Sequence, residues 1–360
     1  MGTIFSSYPL SKAAVVSLRP EPDTRYLTLN ELRLQPLSRM LRSIRRIDDD
    51  ALRVVVQEPS ERAVMPLMLV LASLTRARQV ELHDLADSTV ARIGRARAAL
   101  GALGVVWASL SGQVTTWCLA LLCAWLKRRP AQAHTALKST KALYLKTNLM
   151  LGAKAGGSIG HIAGVANDLA RRHGDTLVLA PEHPPLLNEG VRFEPIEPLR
   201  TYGVPAEVNH FRFNWRCVGR ATRSLRRETF DLIYQRLTLG NLAGVLLSRR
   251  FGLPLVIEYN GSEVWVSQNW GHKLRHKALA QAIEDVCLRH AHRIVTVSQV
   301  LADELLARGV PAERVVWYPN CIDPVMFDPQ RYDEDRRQLR AQLGIADDEV
   351  VVGLVGRLVR

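Results

Sequence analysis

Few features of this sequence point to an extracellular or metal-binding protein. The five cysteines are odd in number and scattered, and the sequence has neither a CxxC pair nor zinc-finger spacing. The sequence therefore predicts reduced thiols in a cytoplasmic setting, with no disulfide framework and no metal site. The first thirty residues contain no apolar core behind a basic start, so no secretory signal is predicted.

Acidic residues are few relative to basic ones. The 360 residues include 48 Lys and Arg against 35 Asp and Glu, a formal net charge of +13, and 47% are hydrophobic. This length and apolar content suffice for two globular domains. The positive surplus favours phosphorylated substrates or an anionic membrane surface as partners. No nucleic acid partner is predicted, because no basic stretch is interleaved with aromatic residues.

The N-terminal part shows regular patterning only from about Leu52. Residues 1–50 are predicted to be an irregular segment with one Arg-rich, solvated helical face. Residues 51–90 read as strand, helix and strand ("RVVVQEP", "AVMPLMLVLASLTRA" and "QVELHDL"), which predicts a βαβ unit. A similar unit occurs at residues 231–263, which indicates either a weak internal repeat or two units that obey the same physics.

A long segment without charge follows this unit. Ala99 to Leu126 contains no charged residue, and this length exceeds the roughly 20 residues that span a bilayer as a helix. Three basic residues precede the segment and three follow it, so charge gives no orientation. Residues 91–130 are predicted to be a membrane-associated helical hairpin that turns near Gly112. Two buried core helices and a single membrane span remain alternatives. The basic flanks are Arg92, Arg95, Arg97, Lys127, Arg128 and Arg129.

Regular α/β alternation begins at Leu143. Apolar strands alternate with amphipathic helices, which predicts a parallel sheet with helices on both faces, the Rossmann-like arrangement, over residues 141–335. The charged connector "RYDEDRRQLRAQLGIADDE" then leads to "VVGLVGRLVR". Residues 347–360 are predicted to be one strand and a phosphate-binding loop.

Two turns between strands and helices carry candidate binding residues. In "KAGGSIGH", Gly156 and Gly157 allow close backbone approach to an anion at a helix start, although glycines here fit a structural turn equally well. In "YNGSE", Asn260 and Glu263 follow the carboxyl end of a predicted parallel strand, where open α/β sheets bind ligands.

Two further turns occur near the end of the sheet region. Ser298 in "TVSQ" is predicted to be the N-cap of the next helix. In "YPNCIDPVMFDP", Asn320 and Asp323 surround a turn.

Three of these segments together resemble a known family. "AGGSIGHIAGVANDLARRHG", "IVTVSQVLADELLARGVPAERVVWYPNCIDPVMFDP" and "VVGLVGRLVR" resemble the first Gly-rich loop, the interdomain segment and the start of the second domain of retaining GT-B glycosyltransferases of family 4. The resemblance covers Leu143 to Arg360 and implies a GT-B fold whose second Rossmann domain is only begun. One departure is Cys321, where the family usually has glycine.

The resemblance implies retaining transfer of a sugar from a nucleoside diphosphate sugar to an acceptor, without metal or other cofactor. The uncharged segment and the basic surplus together favour a lipid-linked acceptor, and a saccharide acceptor is the alternative. Gly356 and Arg357 would face the donor diphosphate, and Gly156 and Gly157 would approach it from across the cleft. The expected interdomain turn contains Ser298, Asn320 and Asp323, and the expected acceptor contacts are His161, Asn260 and Glu263. His161 fits a buried helix face without function equally well.

The donor half of the family's site is not matched in this sequence. The family has an E-x7-E pair far downstream, and the formal match from Glu189 to Glu197 is interpreted as chance. The chain alone is therefore expected to be inactive. The alternatives are a non-catalytic membrane-docking or acceptor-binding subunit, an inactive fragment, or an epimerase. A bacterial protein on the inner face of the cell membrane is expected.

Overall fold

The described residues are organised around two sheets of mainly parallel strands, against which helices pack. The computed structural model describes residues 2–132, 141–149, 157–270, 273–320 and 328–353. Internal contacts divide the chain into one unit from Met1 to Pro319, which holds both sheets, and a small unit from Asn320 to Arg360.

The first sheet has five strands in the order β2-β1-β3-β4-β5, of which only β5 is antiparallel to its neighbour. Its core is built from apolar side chains of β1, β3, α2 and α4. The elements are β1 (Thr3–Ser6), α1 (Lys12–Leu18), β2 (Arg25–Thr28), α2 (Leu29–Arg33), α3 (Leu37–Arg45), β3 (Ala51–Val56), a 3₁₀ turn (Pro59–Ala63), α4 (Met65–Ser73), β4 (Gln79–Asp84) and β5 (Thr89–Arg92).

This sheet confirms one prediction and corrects another. Strand β3, helix α4 and strand β4 form the predicted βαβ unit, with the two strands parallel. The prediction that residues 1–50 are irregular is wrong, because β1 and β2 pair with this unit. Each of these strands has only four residues, too few for a clear alternation of apolar side chains, and their pairing partners are distant in sequence.

One helix connects the two sheets. Helix α5 (Arg95–Lys127) runs without interruption for 33 residues, so the predicted hairpin that turns near Gly112 is wrong. A single glycine costs a helix only about 1 kcal/mol, which packing can offset. The helix is long and apolar enough to cross a membrane, by length and composition only.

The second sheet has seven parallel strands in the order β12-β11-β10-β9-β6-β7-β8. It confirms the predicted Rossmann-like α/β class. The elements are β6 (Lys141–Lys146), α6 (Gly157–His173), β7 (Asp175–Ala180), β8 (Arg192–Pro195), α7 (Val208–Arg227), β9 (Leu232–Arg236), α8 (Ala243–Phe251), β10 (Leu255–Tyr259), α9 (Glu263–Asn269), α10 (Lys277–His290), β11 (Arg293–Thr296), α11 (Gln299–Ala307), a 3₁₀ turn (Ala312–Arg314) and β12 (Val315–Trp317).

The strand order of this sheet reverses at β6, which makes the gap between β6 and β9 the topological switch point of the sheet. Strands β7 and β8 follow on one side of β6, and β9 to β12 follow on the other side. On the face covered by α6, Tyr144 stacks on Tyr234 with ring centroids 5.2 Å apart. The opposite face packs against α7, α8 and α10. Open parallel sheets bind ligands at the carboxyl ends of the strands beside the topological switch point, which here lies between β6 and β9.

The small unit is mainly helical where it is described. A 3₁₀ turn (Pro329–Tyr332) leads into α12 (Asp333–Leu343), which ends at Gly344 with a positive φ of 68°. The strand predicted to begin within residues 347–360 is not formed in residues 347–353, and Val350 and Val352 are exposed. A strand needs a neighbour to satisfy its backbone groups, and none occurs among residues 328–353.

Helix α5 packs along one side against both sheet regions. It contacts α4 near its start and α7 and α10 further along. At its end, the backbone oxygen of Leu126 lies 3.0 Å from Nε2 of His290. The buried stripe consists of Ala98, Ala108, Gly112, Thr116, Leu119, Cys123 and Leu126.

Gly112 is expected to be required for the close approach of α5 and α7. A Cβ at this position would lie 2.6 Å from Cγ2 of Val208, closer than real contacts allow. Gly112→Ala should therefore lower the free energy of unfolding by about 1–3 kcal/mol, measured by chemical denaturation. The matched control is Gly219→Ala in α7, where nothing lies within 4 Å and a gain of up to about 1 kcal/mol is expected. Equal effects at the two glycines would contradict this interpretation.

Candidate functional site

Three charged side chains form a row across the carboxyl ends of neighbouring strands. Lys146 on β6 pairs in register with Arg236 on β9, and Arg236 pairs with Glu258 on β10. Side chains at paired positions of adjacent strands project to the same face of a sheet. Since Tyr144 and Tyr234 lie two residues earlier on the face of α6, the row lies on that face as well.

Glu258 is the centre of this row. Its side chain is fully buried, and its Oε1 lies 2.6 Å from Nη1 of Arg236 and 3.1 Å from Nε2 of His161. The side-chain amide of Asn260 donates a hydrogen bond of 2.5 Å to the same oxygen. The hydroxyl of Tyr234 donates to the other oxygen, at 3.2 Å. Both carboxylate oxygens therefore have partners, as a buried charge requires.

These partners determine the ionisation of Glu258. Burial alone raises the pKa of this carboxyl. The nearby imidazole of His161 and the charge of Arg236 outweigh burial, so the pKa of Glu258 lies below its ordinary value. Glu258 is thus held as a carboxylate that orients a guanidinium, an imidazole and an amide at the edge of the sheet.

Lys146 is the second cation beside the topological switch point. Its side chain is almost buried, and Nζ lies 3.6 Å from Oε1 of Glu182, which follows β7. Burial lowers the pKa of Lys146, the nearby charge of Glu182 raises it, and Arg236 lowers it further, so that the net shift is downward. Lys146 and Arg236 thus place two positive charges where an anionic ligand of a parallel sheet would bind.

The turn after β10 adds a second carboxyl group. Gly261 has a φ of 111°, and Ser262 caps α9 by accepting a hydrogen bond of 3.2 Å from the backbone of Trp265. Glu263 is the first residue of α9 and is partly exposed. Burial raises its pKa, Arg236 opposes this shift, and Glu284 adds to it. A carboxyl group with a raised pKa lies near Arg236, beside a cluster that opens to solvent at Asn260.

The predicted acceptor-side residues come together at this edge. His161 of α6 and Asn260 in the turn after β10 both contact the same carboxylate oxygen of Glu258. The sequence around these two residues did not indicate that they share this partner. Gly157, predicted to bind the diphosphate, begins α6 and is exposed, and nothing lies within 4 Å of the position of a Cβ there. The described contacts thus do not require glycine at this position.

The interdomain residues are placed only in part. Ser298 is the N-cap of α11, where its Oγ accepts a hydrogen bond of 3.3 Å from the backbone of Leu301, as predicted. Asn320 is exposed at the start of the small unit. Four predicted site residues lie outside the described residues, namely Gly156, Asp323, Gly356 and Arg357.

Sequence reasoning missed the three residues that organise the site. Lys146, Arg236 and Glu258 each stand at or near the end of an otherwise apolar strand. A charged residue inside a buried strand was the available signal, because burying a charge without a partner is costly. Within the part of the chain that the structure describes, no group of His, Cys, Asp and Glu side chains could hold a metal ion.

The central part of the chain is similar to a known family. Residues 155–325 match the model of glycosyltransferase family 4. This stretch includes α6 and the strands β7 to β12, and with them Arg236, Glu258 and His161, but it is slightly shorter than half of the chain. No curated protein sequence matches the chain.

Several solved structures are similar to the chain at low identity. HepE of Anabaena in complex with UDP-glucose is 18% identical over 57% of this chain and 50% of its own, with a TM-score of 0.37. Sucrose-phosphate synthase of Thermosynechococcus elongatus is 18% identical over 58% and 54%, with a TM-score of 0.44. UDP-GlcNAc 2-epimerase of Neisseria meningitidis bound to UDP-GlcNAc is 11% identical over 58% and 55%, with a TM-score of 0.38. The chain thus spans about half the length of each.

Proposed function

We propose that this chain carries the acceptor-side domain of a glycosyltransferase, which transfers a sugar from a nucleoside diphosphate sugar to an acceptor hydroxyl with retention at the anomeric carbon. The observation that carries the proposal is the row formed by Lys146, Arg236 and Glu258 at the topological switch point of a parallel sheet. Most of that sheet lies within the stretch that matches glycosyltransferase family 4.

The two cations have a direct role in this chemistry. In the transfer, the bond between the anomeric carbon and the diphosphate oxygen breaks, and its electron pair leaves on that oxygen. The acceptor oxygen forms the new bond, and its proton passes to the leaving diphosphate. Lys146 and Arg236 would stabilise the charge that develops on the diphosphate, because fixed cations act strongly in a site that is partly shielded from water.

The remaining residues would position the acceptor. His161 and Asn260 are held by Glu258, so their orientation is fixed before the acceptor arrives. Glu263 adds a carboxyl group with a raised pKa, which suits hydrogen bonding to a sugar hydroxyl. We propose a lipid-linked or saccharide acceptor. The roles of Gly156, Gly157, Gly356 and Arg357 at the donor diphosphate stay predictions of the family resemblance.

A transfer assay tests this function. Because this chain alone is expected to be inactive, the assay uses it joined to a complete donor-binding domain of family 4. The joined protein is incubated with UDP-, GDP- and dTDP-hexoses and with either extracted membrane lipid or oligosaccharide as acceptor. We expect release of one nucleoside diphosphate that depends on the acceptor, and a product whose anomeric configuration, read by NMR, equals that of the donor. His161→Ala should reduce this release. Epimerisation of the donor without transfer, or acceptor binding without any nucleotide release, would contradict the proposal in favour of an epimerase or a binding subunit.

A further inference from the structure

The side of α5 that faces away from the protein carries a continuous apolar stripe. Its large side chains are between 58% and 75% exposed, and they alternate at spacings of three and four residues, which places them on one helix face. We call this the outward face, and it consists of Leu100, Leu103, Trp107, Leu110, Val114, Trp117 and Leu121.

We propose that the outward face docks the protein onto an anionic membrane surface, with α5 lying along the bilayer rather than crossing it. Protein covers the opposite side of α5 from α4 near its start to His290 near its end. A helix that spans a membrane with this fold would force α7 and α10, which carry exposed charged residues such as Arg216 and Arg289, into the hydrocarbon, where charged side chains are costly. Lateral docking keeps both sheets on one side of the membrane.

The charges around the outward face fit lipid headgroups. Between Ala99 and Leu126 no residue is charged, whereas exposed basic residues stand at both ends. Trp125, near one end, lies under the guanidinium groups of Arg129 at 4.9 Å and Arg249 at 5.8 Å. Tryptophan and basic residues at the ends of an apolar segment are typical of the membrane interface, where acidic headgroups attract the cations. The exposed flanking residues are Arg92, Arg97, Lys127, Arg128 and Arg129.

A second copy of the chain fits the outward face less well. The spacing is that of a coiled-coil seam, and coiled coils choose their partners through charged residues beside the seam. The positions beside the outward face carry no charge at all. They are Gly104, Val106, Ser111, Gln113, Cys118 and Ala120. A lipid surface needs no such pairing and accepts the bulky Trp107 and Trp117.

Vesicle flotation of the 360-residue chain tests the proposal. We expect it to float with vesicles of phosphatidylcholine and phosphatidylglycerol, to float less with phosphatidylcholine alone, and to be partly released by high salt. The triple variant Trp107→Glu, Leu110→Glu and Trp117→Glu should reduce the bound fraction about tenfold or more, because charges enter the apolar interface poorly. The side chains are exposed, so thermal unfolding followed by circular dichroism should be little changed.

A matched triple variant controls for charge. The control variant introduces the same charge at exposed apolar residues on α1, α3 and α11, as Val16→Glu, Leu37→Glu and Val300→Glu. Apart from the small loss that its three added negative charges cause, its flotation should be close to that of the unmodified protein. Equal loss of binding in both triple variants would overturn the proposal, because it would show that general charge and not the outward face binds the vesicles.

A label on the thiol of Cys118 reports independently how deeply the outward face enters the lipid. This thiol is exposed beside Trp117, whereas Cys123, Cys217 and Cys287 are buried. An environment-sensitive fluorophore on Cys118, in a Cys321→Ser background, should shift to the blue on vesicles and be quenched by brominated lipid chains. Self-association without quenching would overturn the proposal and assign the face to a second copy. Neither experiment measures sugar transfer. A failure of the membrane-docking proposal can therefore be distinguished from a failure of the proposed function.

Discussion

Replacing Glu258 with alanine is expected to lower the free energy of unfolding by about 3–5 kcal/mol, as is typical when one partner of a buried ion pair is removed. The variant would leave the guanidinium of Arg236, whose side chain is only 17% exposed, without its carboxylate. The Tyr234 hydroxyl and the Asn260 amide would lose their acceptor as well. Chemical denaturation followed by circular dichroism measures the loss.

A second carboxylate on the same sheet supplies the control. Glu228 also binds two cations, Lys141 at 2.7 Å and Arg192 at 3.0 Å, but it lies at the amino ends of the strands in contact with solvent. Glu228→Ala should therefore cost only about 1 kcal/mol. If Glu258→Ala costs no more than Glu228→Ala, the buried network around Glu258 does not stabilise the fold more than the solvent-accessible ion pairs of Glu228 do.

The pH dependence of stability follows from the lowered pKa of Glu258. The folded state holds the carboxylate more strongly than the unfolded chain does, so its contribution to stability is complete above the ordinary glutamate pKa of 4.5. The contribution is lost as the pH falls from there through the lower pKa of the folded state. The stability difference between the unmodified protein and Glu258→Gln should accordingly shrink in that acidic range. An unchanged difference would show that Glu258 is not ionised in the folded protein.

The fold was predictable wherever apolar segments were long enough to show their period. The seven-stranded sheet follows from the regular alternation after Leu143, whereas β1 and β2 owe their structure to pairing with β3 and have only four residues each. Helix α5 shows the same limit. The sequence around Gly112 is compatible with a turn, and only the proximity of Val208, almost a hundred residues later, explains why a glycine stands inside a continuous helix.

The site was predictable from strand ends but not from register. The rule that ligands bind at carboxyl ends led to Asn260 and Glu263. Which residues of separate strands stand side by side depends on hydrogen-bonded pairing, which a single sequence does not display. Lys146, Arg236 and Glu258 become one row only once β6, β9 and β10 are aligned. The histidine selected from the sequence, His161, derives its position from that row.

Lys146→Met is expected to reduce sugar transfer by about 10²–10³-fold, the usual effect of removing one pre-organised charge from a site that stabilises a developing anion. The lysine stands at the carboxyl end of β6, beside Arg236, where the proposed diphosphate would leave. The loss should fall mainly on kcat, because the charge on the leaving oxygen develops in the transition state. The measurement is the steady-state rate of nucleoside diphosphate release at saturating donor, in the protein joined to a complete donor-binding domain.

The opposite end of the same strand provides the matched control. Lys141 binds Glu228 at 2.7 Å and Asp175 at 2.8 Å at the amino end of β6, so Lys141→Met should leave transfer nearly unchanged. Because burial lowers the pKa of Lys146, its charge is lost at a lower pH than that of an ordinary lysine. Transfer should therefore decline on the alkaline side, and Lys146→Arg, which keeps its charge there, should move that decline to higher pH. A loss below tenfold in Lys146→Met, or an alkaline limb that Lys146→Arg does not move, would place the diphosphate elsewhere.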